Sequence, residues 1–382
     1  MNIVVAMDSF KGSLSSMEAG QAVRAGIAQA DPSAQVTVRP LADGGEGTVE
    51  ALISGMGGQG QQVTVTGPLG APVACSYGIL PATRTAVVEM SGAAGLPLVP
   101  EPQRDPLYTT TYGVGEVIRH AIAQGCRRFL VGIGGSATND GGVGMLQALG
   151  YGFLDGEGRP IPHGAQGLSQ LARITLDGVL PQLAECEFRV ACDVTNVLCG
   201  PQGCSAVYGP QKGATPEMVQ DMDQWLDHYA QLARAVYPDT AHPDAPGTGA
   251  AGGLGFAFQT FTRGVLEPGV SIVLEETHLE KFIREADLVI TGEGRLDGQT
   301  SMGKAPVGVA QLAKRYHKPV VALAGCVTSD ATTCHVQGID AFFPVLPGPC
   351  SLEQAMETDT TRANLAATAQ QVFRLFQAGR AN

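Results

Sequence analysis

Two rhythms of apolar and polar positions run through the chain. At the N-terminus the apolar run Ile3–Met7 predicts a buried strand, followed by the polar stretch DSFKGSL. Ala19, Ala22, Val23, Gly26, Ile27 and Ala30 then recur at helical spacing, and Ser15 and Glu18 ahead of them have the spacing of a capping box. Gln35–Arg39 predicts a second strand, ADGGEG a second loop, and Glu46–Ser54 a second helix. The C-terminal part repeats this rhythm: strand Asp287–Thr291, helix Ala305–Tyr316, strands Val320–Ala324 and Ala341–Val345, and a closing helix Leu365–Phe376. Alternating strands and helices predict a parallel, helix-covered sheet. Two strands at the front and three at the back make a five-stranded doubly wound sheet of flavodoxin type. The expected organisation is therefore α/β with one discontinuous domain, residues 1–67 plus 285–382, interrupted by an inserted α/β domain, 68–284. Two consecutive domains are the alternative.

The middle has a different texture. Val73–Leu80, Thr85–Met90, Arg127–Ile133 and Glu187–Ala191 read as strands, Val114–Ile122 and the Trp225-bearing Pro216–Val236 as helices. A length of 382 residues, 44% of them apolar, supports two cores and argues against global disorder. No run approaches the roughly 18 uncharged apolar residues of a membrane span. MNIVVAMDSF lacks the basic and small-residue features of a signal peptide. The nine cysteines form neither a disulfide framework nor a zinc-ligand spacing, and a reducing cytoplasm is the expected compartment.

Charge narrows the partners. There are 24 Lys and Arg against 36 Asp and Glu, a net charge of −12, without a long basic stretch; this argues against nucleic acid. Glycine is the outlier at 51 residues, clustered with Asp, Thr, Ser and Lys between apolar segments. Such clusters predict loops whose backbone meets a ligand.

Six of these loops could carry chemistry. In the first, Asp8, Ser9, Lys11 and Ser13 lie between a strand and a helix N-terminus, where an anion can be balanced. In the second, Asp43 adjoins Gly44 and Gly45, with Glu46 as a further carboxylate or as a first-turn acid. In the third, Gly134, Gly135, Ser136, Thr138, Asn139 and Asp140 follow a strand, and their N–H, hydroxyl and amide groups suit phosphate oxygens. The fourth offers Asp193 as a general base or metal ligand, Asn196 beside it, and Lys212 as a phosphate partner. The fifth, Gly247–Gly255, reads equally as close helix packing or as nucleotide binding. The sixth holds Glu293, Arg295, Asp297 and Lys304. Its Gly298–Lys304 stretch matches G-x-x-x-x-G-K, but Ala305 stands where a P-loop needs Ser or Thr for Mg²⁺, so a true P-loop is rejected. The histidines fall outside all six loops, and neither G-x-S-x-G nor H-E-x-x-H is present. Carboxylates, a few lysines, hydroxyls and exposed backbone N–H groups together are what phosphoryl transfer demands.

The ordered set DSFKGSLS, PLADGGEGT, GGSATNDGGVG, CDVTN with GPQKGA, PGTGAAGGLG and TGEGRLDGQTSMGKAPVGVA resembles the signatures of the type I glycerate kinase family from residue 1 to about 380. Met7 and Val197 stand where the family often has proline. The resemblance implies a flavodoxin-like domain, a second domain of restriction-endonuclease-like topology and an active site in the cleft between them. It also implies ATP-dependent, Mg²⁺-assisted phosphorylation of D-glycerate to 2-phosphoglycerate in glyoxylate, tartronate or galactarate catabolism. The expected partners are D-glycerate and ATP, with no nucleic acid or membrane, in a monomer or homodimer. The assigned roles are Asp193, Lys11 and Lys212 in catalysis; Glu293, Asp297 and Asp193 for the metal; and the remaining loop residues named above for substrate and phosphate. A kinase of a related hydroxy-acid, or a sugar-acid or nucleotide sensor without catalysis, is the alternative.

Overall fold

A computed structural model describes residues 1–45 and 47–380. Glu46, the predicted start of the second helix, lies outside the described residues; that helix runs Thr48–Met56. The chain divides into two compact units, one comprising Met1–Asp43, Glu50–Gly57 and Val270–Asn382, the other Gly44–Val49 and Gly58–Gly269.

In the first unit five parallel strands lie in the order Gln35–Val38, Asn2–Met7, Leu288–Leu296, Val320–Val327, Ala341–Pro344. Numbered along the chain this is 2-1-3-4-5, with strand residues from both ends of the sequence. Helix Ser16–Ala30 starts where the sequence places it: the Ser15 hydroxyl accepts from the Glu18 N–H at 3.4 Å, and Glu18 Oε2 accepts from the Ser15 N–H at 3.0 Å. Its face Ala19, Ala22, Val23, Gly26, Ile27 is buried. Gly26 lets the closing helix Thr358–Arg380 approach, since a Cβ there would sit 2.0 Å from the Ala366 carbonyl oxygen. Burying side chains such as Val23 and Ile27 stabilises this layer by about 1.5–3 kcal/mol each.

The second unit has a six-stranded mixed sheet, ordered Val265–Glu267, Glu187–Ala191, Arg128–Gly132, Thr85–Glu89, Pro72–Leu80, Gln59–Thr66. The first four strands are parallel and the last two antiparallel. Helices Tyr112–Ala123, Pro216–Val236 and Ala250–Phe261 supply apolar faces to its core, in which Phe129 stacks on Phe188 and Phe258 packs tilted against Phe188.

Several features differ from the sequence reading, three of which bear on the candidate loops and sheets. Strand Gln59–Thr66 is not among the predicted elements, because its QGQQ start carries no apolar alternation. The strand predicted to end at Thr291 continues to Leu296, held by pairing of Arg295 and Leu296 with Cys326 and Val327, so Glu293 is a strand residue rather than a loop residue. In the fifth glycine block the packing reading describes what is observed. Ala251, Gly252 and Gly253 take left-handed conformations, and a Cβ on Gly252 would lie 2.0 Å from the Thr138 carbonyl oxygen. Among the described residues no helix is long and apolar enough to cross a membrane.

Candidate active site

In the first unit, carboxylates gather at the carboxyl edge of the parallel sheet, where ligands of open α/β sheets bind. Asp8 directly follows the first strand, and its N–H donates to the Gly292 carbonyl at 2.8 Å. Its Oδ1 accepts from the Ser9 N–H at 2.7 Å. Burial foremost, with the negative charges of Asp43 and Glu293, pushes the Asp8 carboxyl from 3.8 up to about 7; the Ser9 N–H and Lys11 pull the other way. Glu293 is buried, and burial likewise raises it, with Asp297 and Asp43 adding to the effect. The Thr300 hydroxyl, donating to Glu293 Oε1 at 2.7 Å, and Lys304 oppose the rise.

Asp297 Oδ1 accepts from the N–H groups of Gln299 and Thr300 at 3.0 and 3.2 Å, while Arg295 Nε stands 3.3 Å from Oδ2. Lys304 Nζ lies 3.9 Å from Oδ1 and forms the N-cap of helix Ala305–Lys314, with Pro306 in its first turn. Lys11 is exposed. The Ser13 hydroxyl is hydrogen-bonded to the Thr361 hydroxyl at 2.7 Å, which ties the first loop to the closing helix.

Among the described residues no three of His, Cys, Asp and Glu converge to hold a metal ion, and Asp193 belongs to the other unit from Glu293 and Asp297. The donor set nevertheless suits Mg²⁺. These are hard oxygen ligands, burial and neighbouring negative charge disfavour ionisation of Asp8 and Glu293, and Mg²⁺ ordinarily takes only one or two carboxylates plus substrate phosphates.

In the second unit the third and fourth loops meet. Lys212 is 2% exposed, and its ammonium donates to Ser136 Oγ at 2.7 Å and to the Thr138 carbonyl at 2.6 Å. Burial lowers it from 10.5 to about 8, against the opposing pull of Cys204 and Asp140. Gly134 and Gly135, which precede Ser136 in the same loop, are exposed. Gly44 and Gly45 lie against the same sheet edge: a Cβ on Gly44 would be 2.4 Å from the Ala191 Cβ, and one on Gly134 would be 4.0 Å from the Gly45 Cα. Asp193 is exposed just beyond strand Glu187–Ala191, and its Oδ1 accepts from the Gly269 N–H at 3.1 Å.

Other predicted residues turn inward. Thr138, Asn139 and Asp140 are fully buried. Asp140 Oδ2 accepts from the Thr111 N–H and hydroxyl, both at 2.8 Å, and from the Gly144 N–H at 3.3 Å; Oδ1 accepts from the Gly142 N–H at 3.1 Å. Burial raises its carboxyl and these four donors lower it. Asn139 donates to Ser205 Oγ at 2.8 Å. Asn196 donates to the Gln202 carbonyl at 2.9 Å and accepts from the Tyr208 hydroxyl at 2.6 Å. The Asp140 and Asn196 side chains hold loop conformations, whereas Asn139 Oδ1 and Thr138 Oγ1 are buried without a hydrogen-bond partner among the described residues.

The supporting residues Thr300, Thr111, Ser205 and Gly269 escaped the sequence reading. Only Thr300 had a local signal, as a hydroxyl three residues after Asp297; the others act across long stretches of sequence.

A family model described as the Glycerate kinase family matches residues 3–377. The chain belongs to this family. Among its relatives, the glycerate kinase of Bacillus subtilis is 48% identical over 357 residues, covering 94% of this chain and 93% of the relative. The glycerate 2-kinase of Escherichia coli is 48% identical over 356 residues, 93% of each. A crystal structure from Salmonella typhimurium LT2, named for the same family, superposes with a TM-score of 0.93 at 47% identity, covering 100% of both chains. As a glycerate kinase family member the chain has a mixed α/β fold with two main sheets.

Proposed function

We propose that the chain is an ATP-dependent glycerate kinase that phosphorylates D-glycerate at the 2-hydroxyl, giving 2-phosphoglycerate in the catabolism of glyoxylate, tartronate or galactarate. The observation that carries this reading is 48% identity, over 93% of both chains, to a relative named glycerate 2-kinase. On the same reading the 2-1-3-4-5 unit is flavodoxin-like, and its strand order supports that. The inserted unit is restriction-endonuclease-like.

The residues divide the work by chemistry. Glu293 and Asp297, with Asp8 beside them, would hold Mg²⁺; when bound, the ion neutralises charge on the phosphoryl oxygens. Asp193, exposed and oriented by the Gly269 N–H, takes the proton from the substrate 2-hydroxyl. The Gly134 and Gly135 N–H groups receive anionic oxygens, and Lys212 supplies positive charge from beneath Ser136. Lys11 and Lys304 balance the substrate carboxylate and the transferring group. Arg295 and the Ser9 hydroxyl assist in orienting them.

The test is ADP formation with and without D-glycerate. ADP release that requires D-glycerate, and is not supported by other small hydroxy-acids, supports the reading. Release independent of D-glycerate, or none at all in a folded chain, overturns it.

A further inference from the structure

Buried polar groups ordinarily find a hydrogen-bond partner, so one that lacks it needs a reason. Among the described residues two arginines keep a buried Nε without a partner, Arg39 and Arg104. Arg39 is held by other contacts: its Nη2 donates to the Thr277 carbonyl, and its guanidinium lies 4.7 Å from the centre of the Phe282 ring. Arg104 is not. It lies outside the six glycine-rich loops, and among the described residues its guanidinium makes no hydrogen bond or ion pair. The adjacent Asp105 carboxylate accepts from the Leu107 N–H at 3.0 Å instead.

The chain around Arg104 is fastened to the third and fourth loops, all within the second unit. Ahead of it, the Leu96 N–H donates to the Gly135 carbonyl at 2.8 Å, and the Ala94 carbonyl accepts from the Ala137 N–H at 2.9 Å. After it, the Thr109 hydroxyl donates to the Ala137 carbonyl at 2.9 Å. Arg104 itself abuts the fourth loop at Gly213. A Cβ on Gly213, whose φ is 96°, would stand 2.2 Å from the Arg104 carbonyl oxygen and 3.1 Å from the Arg104 Cβ. The residue before Gly213 is Lys212, whose ammonium donates to Ser136 Oγ.

We infer that Arg104 is a phosphate-binding residue, which takes oxygens of the nucleotide's polyphosphate chain beside the Gly134–Ser136 loop; this rests on the kinase reading and extends it. Lys212 is 2% exposed and engaged with Ser136 and Thr138, so it is poorly placed to touch a ligand itself. Arg104 is partly exposed and its donors are uncommitted, and a planar fork of N–H groups matches a pair of phosphate oxygens. Two cations in neighbouring loops repel each other. The single charge of a carboxylate leaves that repulsion half compensated, whereas the several charges of a polyphosphate balance both.

Calorimetric titration of the full chain with tripolyphosphate, beside steady-state kinetics, tests this. Arg104→Ala should weaken tripolyphosphate binding at least about tenfold and raise the KM for ATP by a similar factor, with the KM for D-glycerate within about twofold of the parent's and circular dichroism unchanged. Arg104→Lys keeps the charge without the fork and should weaken tripolyphosphate at least about threefold; it carries the test if the alanine variant does not fold. A parent that does not bind tripolyphosphate, a folded variant that binds it as tightly as the parent, or a KM change confined to D-glycerate would each overturn the inference. The titration contains no D-glycerate. A parent that binds tripolyphosphate but releases no ADP in response to D-glycerate therefore fails the kinase reading alone, and the titration still decides the role of Arg104.

Discussion

Lys212→Met separates function from stability within one side chain. The ammonium is buried and, among the described residues, has no carboxylate in hydrogen-bond contact; it donates to a hydroxyl and a carbonyl. Its fall from 10.5 to about 8 corresponds to roughly 3 kcal/mol of lost stability at neutral pH. The folded value lies below the unfolded one, so the unfolded chain binds more protons between them, and this cost lifts as pH rises from about 8 towards 10.5. Methionine removes the cost but strands two acceptors, Ser136 Oγ and the Thr138 carbonyl, at about 1–3 kcal/mol for each buried unpaired group. The two effects oppose each other. Urea unfolding followed by Trp225, the only tryptophan and a residue of the same unit, should therefore show a stability at pH 7 between about 1 kcal/mol above and about 3 kcal/mol below that of the parent. The parent should gain stability between pH 8 and 10 and the variant should not. On the proposed function turnover should fall at least about 100-fold, because the charge bonded to Ser136 is gone. A variant that loses more than about 3 kcal/mol while keeping normal turnover would refute the reasoning, making Lys212 a packing residue.

Asp140→Ala should destabilise the same unit by about 3 kcal/mol or more, since it leaves the N–H groups of Thr111, Gly142 and Gly144 buried without an acceptor; Trp225 fluorescence in urea measures it. Gly252→Ala combines a φ of 66° with a Cβ 2.0 Å from a carbonyl oxygen, so soluble yield and melting temperature should both drop sharply. Asp8 has a folded value of about 7 against 3.8, so the folded chain binds the extra proton and stability falls as pH climbs through that window. Without added metal, Asp8→Asn should melt above the parent at pH 8, with the difference vanishing near pH 4. Thr300→Val removes a donor to Glu293 and should weaken the dependence of turnover on Mg²⁺ concentration at fixed ATP, read as a raised half-saturating Mg²⁺ level.

What could be read from sequence was local. The Ser15–Glu18 cap, the strand before Asp8 and the helix after Lys304 are each written in a handful of neighbouring residues, and the structure has them. The strand rhythm at both chain ends carried the parallel sheet. What could not be read depends on distant partners. Glu293 looked like a loop residue because only pairing with Val320–Val327 extends its strand. Asp140 looked like a ligand for phosphate because Thr111, which claims it, lies 29 residues away. Lys212 and Ser136, 76 residues apart, had the right chemistry, but nothing nearby in sequence indicated that the lysine is buried beneath the loop. The block around Gly252 read equally as close packing or as nucleotide binding because the backbone it crowds, at Thr138, is remote in sequence.

The most direct measurement is the proton-coupled ³¹P spectrum of the product formed from ATP and D-glycerate. A phosphoryl group on the 2-oxygen couples to the single proton at C2 and gives a doublet, the predicted result. A triplet from the two protons at C3, or no phosphorylated glycerate at all, would contradict it.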